Sequence, residues 1–338
     1  MLDQLTELLF SEDDSNFDLA MTLAKGLDIS SWQLYLDLKK CNEFFAKHWG
    51  IGIDLKVFLK TFRERQFKLR NSDRFDYFPD YLSVLAPLVK EVHLSIAKLT
   101  SVPACVYNYH LMSILNISNT LISELNNAIW DLGNLQELNL IGTNVYKIEA
   151  GISRAKQLAE LKILTQYYAH LPDELAETKK LDTLWWGTTS TKVSSFKGIP
   201  QVIYECIGLK NLLLTGEKIE QLDNKIGQLK QLRKLVLHNT STRDLPEQLA
   251  DLPHLEHIGI LENDAFGKIP NVLKVLPNLK VLLLQCTRFA NQSTFLEQLK
   301  GLEKLEKLSL PRHSFFMNAL PQIQYLLPNT EIRFLNGF

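Results

Sequence analysis

Residues 135–157 read LQELNLIGTNVYKIEAGISRAKQ, and the spacing of Leu135, Leu138 and Leu140 at the start recurs along most of the 338-residue chain. Equivalent triplets begin at Val89, Met112, Leu135, Leu158, Leu181, Leu209, Leu232, Leu255, Leu279 and Leu305. Successive starts lie 23 residues apart, except for steps of 28, 24 and 26. A fixed period with rare insertions is the signature of stacked structural units. It also accounts for 63 leucines, close to one residue in five.

Each unit can be numbered from its first apolar residue. Position 4 is aliphatic throughout, and position 6 is aliphatic except for Trp186. On an extended segment positions 4 and 6 point to one side, and positions 3, 5 and 7 to the other. Every unit is thus expected to open with a short strand, one face buried and one wet. Position 14 is apolar, and in six units a proline follows it: Pro103, Pro172, Pro200, Pro246, Pro270 and Pro321. Proline cannot donate to a ladder and turns the chain out of extension. Positions 14, 18 and 21 then place apolar groups at helix-like spacing on a return limb. No unit can bury its own face, so neighbours must stack.

These units resemble the leucine-rich repeat, in its 23-residue LP-containing form seen in intracellular and bacterial members. The resemblance implies an α/β fold, a curved solenoid with a parallel β-sheet on its concave face, and partner binding there. Position 9, usually asparagine in the family, reads Ala97, Thr120, Thr143, Gln166, Thr189, Glu217, Thr240, Asn263, Thr287 and His313. A threonine hydroxyl both donates and accepts, so a threonine version of the polar ladder is expected.

The expected organisation is an N-terminal helical region, 1–63, followed by the solenoid, 64–338. Within the solenoid, 64–88 reads as a degenerate first repeat, 89–329 as regular repeats and 330–338 as a C-terminal cap. Four helical patterns fill the first region: Leu2, Leu5, Leu8 and Leu9 on one face; Phe17 to a stop at Gly26; 32–49 after Ser30 and Ser31; and about 54–63. Residues 1–62 carry ten acidic and six basic residues. The region is expected to cap the open apolar edge of the first repeat, with a separate helical binding module as the alternative. Arg63, Arg65, Lys68, Arg70 and Arg74 form a basic run at the junction, read as a solvated face. Polar insertions fall at 188–198 and 291–294 and are expected in loops.

The composition narrows the function. A formal charge of -1 lacks the basic footprint that nucleic acid needs. The start shows no secretory pattern, no stretch is long and apolar enough for a bilayer, and Cys41, Cys105, Cys206 and Cys286 are scattered. A cytoplasmic monomer is expected, with no cofactor, no metal, no nucleic-acid or membrane partner and no catalytic domain after Phe338. Phosphate-cradling, zinc-protease and nucleophile-elbow motifs do not occur, so an enzyme is not expected.

The wet face of the strands carries the candidate site. Ile141, Leu164, Trp185, Leu213, Val236, Leu261 and Leu283 fall at positions 5 or 7 in successive units and form an apolar band. A solvent-facing apolar band calls for a partner. Trp185 is its natural anchor, with His238, Glu137, Glu160, Lys162 and Lys234 around it. Position 3 is acidic early, at Glu91, Glu137 and Glu160, and basic late, at Lys234 and Lys307. The function expected is a non-enzymatic scaffold binding a protein or peptide on this face. The alternative is the substrate-recognition module of a bacterial effector or a ubiquitin-ligase-like system, which would draw on Cys41.

Overall fold

The computed structural model describes residues 2–11, 13–25, 29–49, 54–64, 68–70, 79–95, 98–190, 198–263, 265–285 and 292–335. They form two compact units, Met1–Asn139 and Leu140–Phe338.

The first unit opens with four helices: α1 (Leu2–Leu9), α2 (Asp14–Lys25), α3 (Ile29–Trp49) and α4 (Leu55–Glu64). Helix α3 starts at Ile29, so Ser30 and Ser31 lie inside its first turn instead of preceding it. Gly26 lies outside the described residues. Leu38, Cys41, Phe44 and Phe45 of α3 are buried. Phe45 stacks on Phe58 of α4 at 5.5 Å. On another side α3 meets the turn Asp80–Leu85: Phe44 packs edge-on to Tyr81 at 6.3 Å, and the Cys41 thiol lies 3.6 Å from the Tyr81 carbonyl.

Four strands follow in the same unit: β1 (Lys68–Arg70), β2 (Glu91–His93), β3 (Ile114–Asn116) and β4 (Glu137–Asn139). They pair in parallel and in chain order, with Leu69 opposite Val92, Val92 opposite Leu115 and Leu115 opposite Leu138. Strand β1 therefore holds the place of a repeat strand in the degenerate segment. Of the basic run at the junction, Arg65 and Arg74 lie outside the described residues.

The second unit continues the pattern with β5 (Glu160–Thr165), β6 (Thr183–Thr188), β7 (Asn211–Thr215), β8 (Lys234–His238), β9 (His257–Leu261), β10 (Val281–Gln285), β11 (Lys307–Pro311) and β12 (Glu331–Leu335). All are parallel, in chain order. The position-4 residues stay in line as Leu161, Leu184, Leu212, Leu235, Ile258, Leu282, Leu308 and Ile332. The longer repeats keep this register. The return limbs are mostly single 3-10 turns, such as Ala150–Arg154, Asp173–Glu177 and Glu247–Asp251. Others are short α-helical turns, at Val202–Glu205 and Val272–Val275. The 26-residue repeat has room for a true α-helix, Gln292–Leu299, which buries Phe295 and Leu299.

Positions 4 and 6 are buried as the alternation predicts, and Trp186 fits among the aliphatics because its indole nitrogen donates to the Ala169 carbonyl at 3.0 Å. The threonines divide the polar role expected of them. Thr120 and Thr143 donate back to carbonyls of their own repeats, Ile117 and Leu140, at 2.9 and 2.8 Å. Thr189 reaches the preceding repeat, at the Thr165 carbonyl, as does Thr242, two residues beyond position 9, at the Ile219 carbonyl. Asn263 bridges most fully, donating to the Thr240 hydroxyl and the Thr242 carbonyl while accepting from the Ala265 amide.

A further regularity sits at position 8, just past the strand. Asn119, Gly142, Gly216, Asn239 and Glu262 all have positive φ there. Asparagine and glycine are the residues that enter this region at least cost. Where position 8 is Thr165 or Thr188 the strand runs on by that residue.

Two stability predictions follow from this backbone. Asn239→Val puts a β-branched residue at φ 48 and should cost about 1–2 kcal/mol in denaturant unfolding. Gly187→Ala should cost more, because Gly187 has φ 151 and a Cβ there would overlap the Thr215 main chain on β7, which cannot yield without breaking the ladder. Equal stability of wild type and both variants would refute this account.

Candidate functional site

The outward face of β5–β11 is built by the same alternation that buries positions 4 and 6. In register, position 5 runs Lys162, Trp185, Leu213, Val236, Gly259, Leu283 and Ser309. Position 7 runs Leu164, Gly187, Thr215, His238, Leu261 and Gln285. Ile141 sits beside Leu164, since the Leu140 amide donates to the Lys162 carbonyl and the Gly142 amide to the Leu164 carbonyl. Every apolar residue expected on the wet face is therefore there, and Trp185 and Trp186 point to opposite sides of β6.

The apolar residues are not one straight row. Ile141 and Leu164 lie at position 7, and the stripe then shifts to position 5 from Trp185 to Leu283. Gly187 stands between Leu164 and Thr215 and adds no side chain beside Trp185. Gly259 acts similarly further along. A Cβ there would lie 3.4 Å from both Val236 methyls and 3.7 Å from Leu283 Cδ1, so these side chains lean into the space and close the stripe. Val236 is only 5% exposed as a result, whereas Trp185, Leu213, Leu261 and Leu283 are half-buried.

The polar residues are more organised than their sequence positions suggest. Lys162 makes an ion pair with Glu160 at 3.0 Å, and its ammonium lies over the Trp185 ring at 5.2 Å. A cation over an indole face is attracted by the ring's quadrupole, so Lys162 holds one face of Trp185. His238 lies 3.4 Å from Glu262. Lys234 is exposed on β8. Glu137 is half-buried on β4 of the first unit. The basic end of position 3 is also not purely basic, because β12 adds Glu331, in contact with Arg333.

Sequence reasoning missed the Lys162–Trp185 stacking and the role of Gly187 and Gly259. The glycines were a readable signal, being small residues on a strand face otherwise filled by larger ones. The stacking was not readable, because it depends on the lysine rotamer.

The thiols have a different character. Cys41, Cys105 and Cys206 are buried and free. Burial pushes the Cys41 thiol well above its ordinary range, with the nearby Asp37 carboxylate adding to the effect. Burial raises Cys105 to about 11 and Cys206 to about 12. Cys286 lies outside the described residues. Among the described residues no three His, Cys, Asp or Glu side chains cluster to hold a metal ion, and no helix is long and apolar enough to cross a membrane.

No family model matches the chain. Adenylate cyclase of Schizosaccharomyces pombe is 29% identical over 179 residues, 51% of this chain, and the chain spans only 10% of that relative's length. Among solved structures, TLR13 in its complex with ssRNA13 superposes with a TM-score of 0.54 at 21% identity, over 78% of this chain and 37% of that one. An internalin, inlF of Listeria monocytogenes, gives 0.50 at 16% identity, over 81% of this chain and 82% of its own. The functional domain of InlJ from the same organism gives 0.50 at 16%, over 73% and 51%. The fold is thus that of the leucine-rich repeat proteins: a parallel-sheet solenoid, here with helices at its N-terminal end.

The raised thiols make a pH prediction. Unfolded thiols ionise near 9, whereas Cys105 and Cys206 stay protonated to about 11 and 12. Above pH 9 the unfolded state therefore binds fewer protons than the folded state, and stability falls as pH rises. Below pH 9 the thiols contribute no pH dependence. Urea unfolding of wild type and a Cys105→Ala/Cys206→Ala variant checks this, the variant showing a shallower loss between pH 9 and pH 11. Equal slopes would show that the thiols are not buried as described.

Proposed function

We propose that this chain is a non-enzymatic interaction scaffold that grips a protein or peptide segment on the outward, concave-type face of its repeat sheet. The apolar stripe from Trp185 through Leu213 and Val236 to Leu283 carries the proposal. Burying the stripe under a partner would be favourable by the ordinary hydrophobic effect. Trp185 is the anchor, since a large aromatic held from one side by Lys162 leaves its other surface for contact and loses little freedom on binding. Ile141, Leu164 and Leu261 extend the surface, with His238, Glu160, Lys162 and Lys234 at its margins. The protein acts in this reading as a cytoplasmic monomer without cofactor.

The ubiquitin-transfer alternative is disfavoured by one specific observation. Its nucleophile would be Cys41, and a nucleophile must be accessible and readily ionised. Cys41 is fully buried beneath the Asp80–Leu85 turn, with its thiol held in the protonated form.

The test is affinity capture with mass spectrometry, comparing wild type with Trp185→Ala/Leu213→Glu. Both side chains point away from the core, so the variant should keep its melting temperature within a few degrees. The expected outcome is loss of the specific prey set. A folded variant that retains the same prey would place binding elsewhere, and cysteine-dependent ubiquitin transfer abolished by Cys41→Ala would replace the proposal with the alternative.

A further inference from the structure

The charges on the outward face are unevenly distributed in a way that the chain's balance of 37 basic and 38 acidic residues hides. Across β7–β11, positions 3, 5 and 7 hold Lys234, Lys307, His238 and His257 but no aspartate or glutamate. Register places Lys234 beside His257, His257 beside Val281 and Val281 beside Lys307. The two lysines therefore stand three strands apart, about 14 Å at normal strand spacing. They lie along one margin of the Leu213–Val236–Leu283 stripe. The other positive group beside the stripe, Lys162, is already committed to Glu160 and Trp185. Of the carboxylates around this region, Glu262 is engaged by His238, and Glu331, which register places beside Lys307 on β12, is engaged by Arg333.

We infer that the segment bound on this face is an acidic peptide, with aliphatic or aromatic side chains seated on the stripe and carboxylates spaced to meet Lys234 and Lys307. The inference deepens the proposed function and rests on it. Charge complementarity selects the partner class: a basic or neutral segment would leave both lysines facing its backbone without compensation, whereas carboxylates on one edge of an extended peptide match a row of cations along one margin. The apolar floor favours peptide over nucleic acid, which would present a phosphate to every few ångströms of a face that offers two free lysines.

The experiment pans a displayed library of random dodecapeptides on the full chain, then measures the enriched sequences as synthetic peptides. Enriched sequences should combine one or more large apolar residues with Asp or Glu. Replacing those acids by Asn and Gln should weaken binding about tenfold or more, as should the Lys234→Glu/Lys307→Glu variant, and the affinity should fall as salt rises. Trp185→Ala/Leu213→Glu should abolish binding, and an unchanged melting temperature for each variant keeps folding out of the comparison. Neutral or basic enriched peptides that ignore the lysine reversal but need Trp185 and Leu213 overturn the acidic inference and leave the outward-face reading standing. Peptides indifferent to both variants, or no enrichment, overturn both. Displacement of the enriched peptides by a single-stranded oligouridine of the same length would replace the peptide with nucleic acid.

Discussion

Everything in this fold depends on a burial that no repeat can achieve by itself. Position 4 and position 6 side chains of each strand are covered only when the next strand lies in register beside them. Burying one leucine is worth about 1.5–3 kcal/mol, so each interface between repeats gains several of these together. The ladder cannot slip by one residue without turning the whole buried set to solvent. That is why Leu184 still lies opposite Leu212 across the 28-residue step, and Leu282 opposite Leu308 across the 26-residue one. In the 26-residue repeat the longer return limb becomes the helix Gln292–Leu299.

The same constraint makes the outward face informative. Positions 4 and 6 are dictated by stacking, so their leucines say nothing about function. Positions 3, 5 and 7 escape that demand, and a soluble repeat could fill them with charge. Instead the face carries Trp185, Leu213, Leu283 and Leu261, with glycines at 187 and 259 that shape the surface without adding bulk. Gly187 has a backbone reason for being glycine, since its φ of 151 and the nearby Thr215 main chain admit nothing larger. Gly259 has neither constraint. Its φ is ordinary and its neighbours are side chains, so its smallness belongs to the surface and not to the strand.

Much of this was legible in the sequence because the signal repeats. The period-2 alternation of each strand is weak in isolation, but many aligned units fix the buried and outward sides of β5–β11, including the opposite facing of Trp185 and Trp186. The return limbs were less legible. Apolar spacing at positions 14, 18 and 21 suits a helix, yet many limbs close only a single turn, 3-10 at Ala150–Arg154 and α-helical at Val202–Glu205, a difference that apolar spacing does not encode. A threonine ladder is expected at position 9, but its members behave differently: the Thr120 and Thr143 hydroxyls bond within their own repeats, whereas the Thr189 hydroxyl and the Asn263 amide reach the preceding one. Position 8 could have been read for its asparagines and glycines. Glu262 could not, because glutamate does not advertise a positive φ.

The charge pattern shows how far a one-dimensional reading carries before geometry changes its meaning. Along the sequence, position 3 passes from Glu160 to Lys234 and Lys307, which suggests a face with a negative end and a positive end. On the sheet, Glu160 lies against Lys162 two residues on, on the same side of the same strand, and the pair presents little net charge. Lys162 in turn faces the Trp185 ring, so the two charges at that end hold the aromatic anchor in place. At the far end Arg333 and Glu331 compensate each other in the same i, i+2 manner. What remains is a compensated margin on either side of a middle whose position-3 lysines lie beside an apolar floor. A partner would then be oriented by where its carboxylates fall relative to its apolar anchors, and not by a dipole running the length of the sheet.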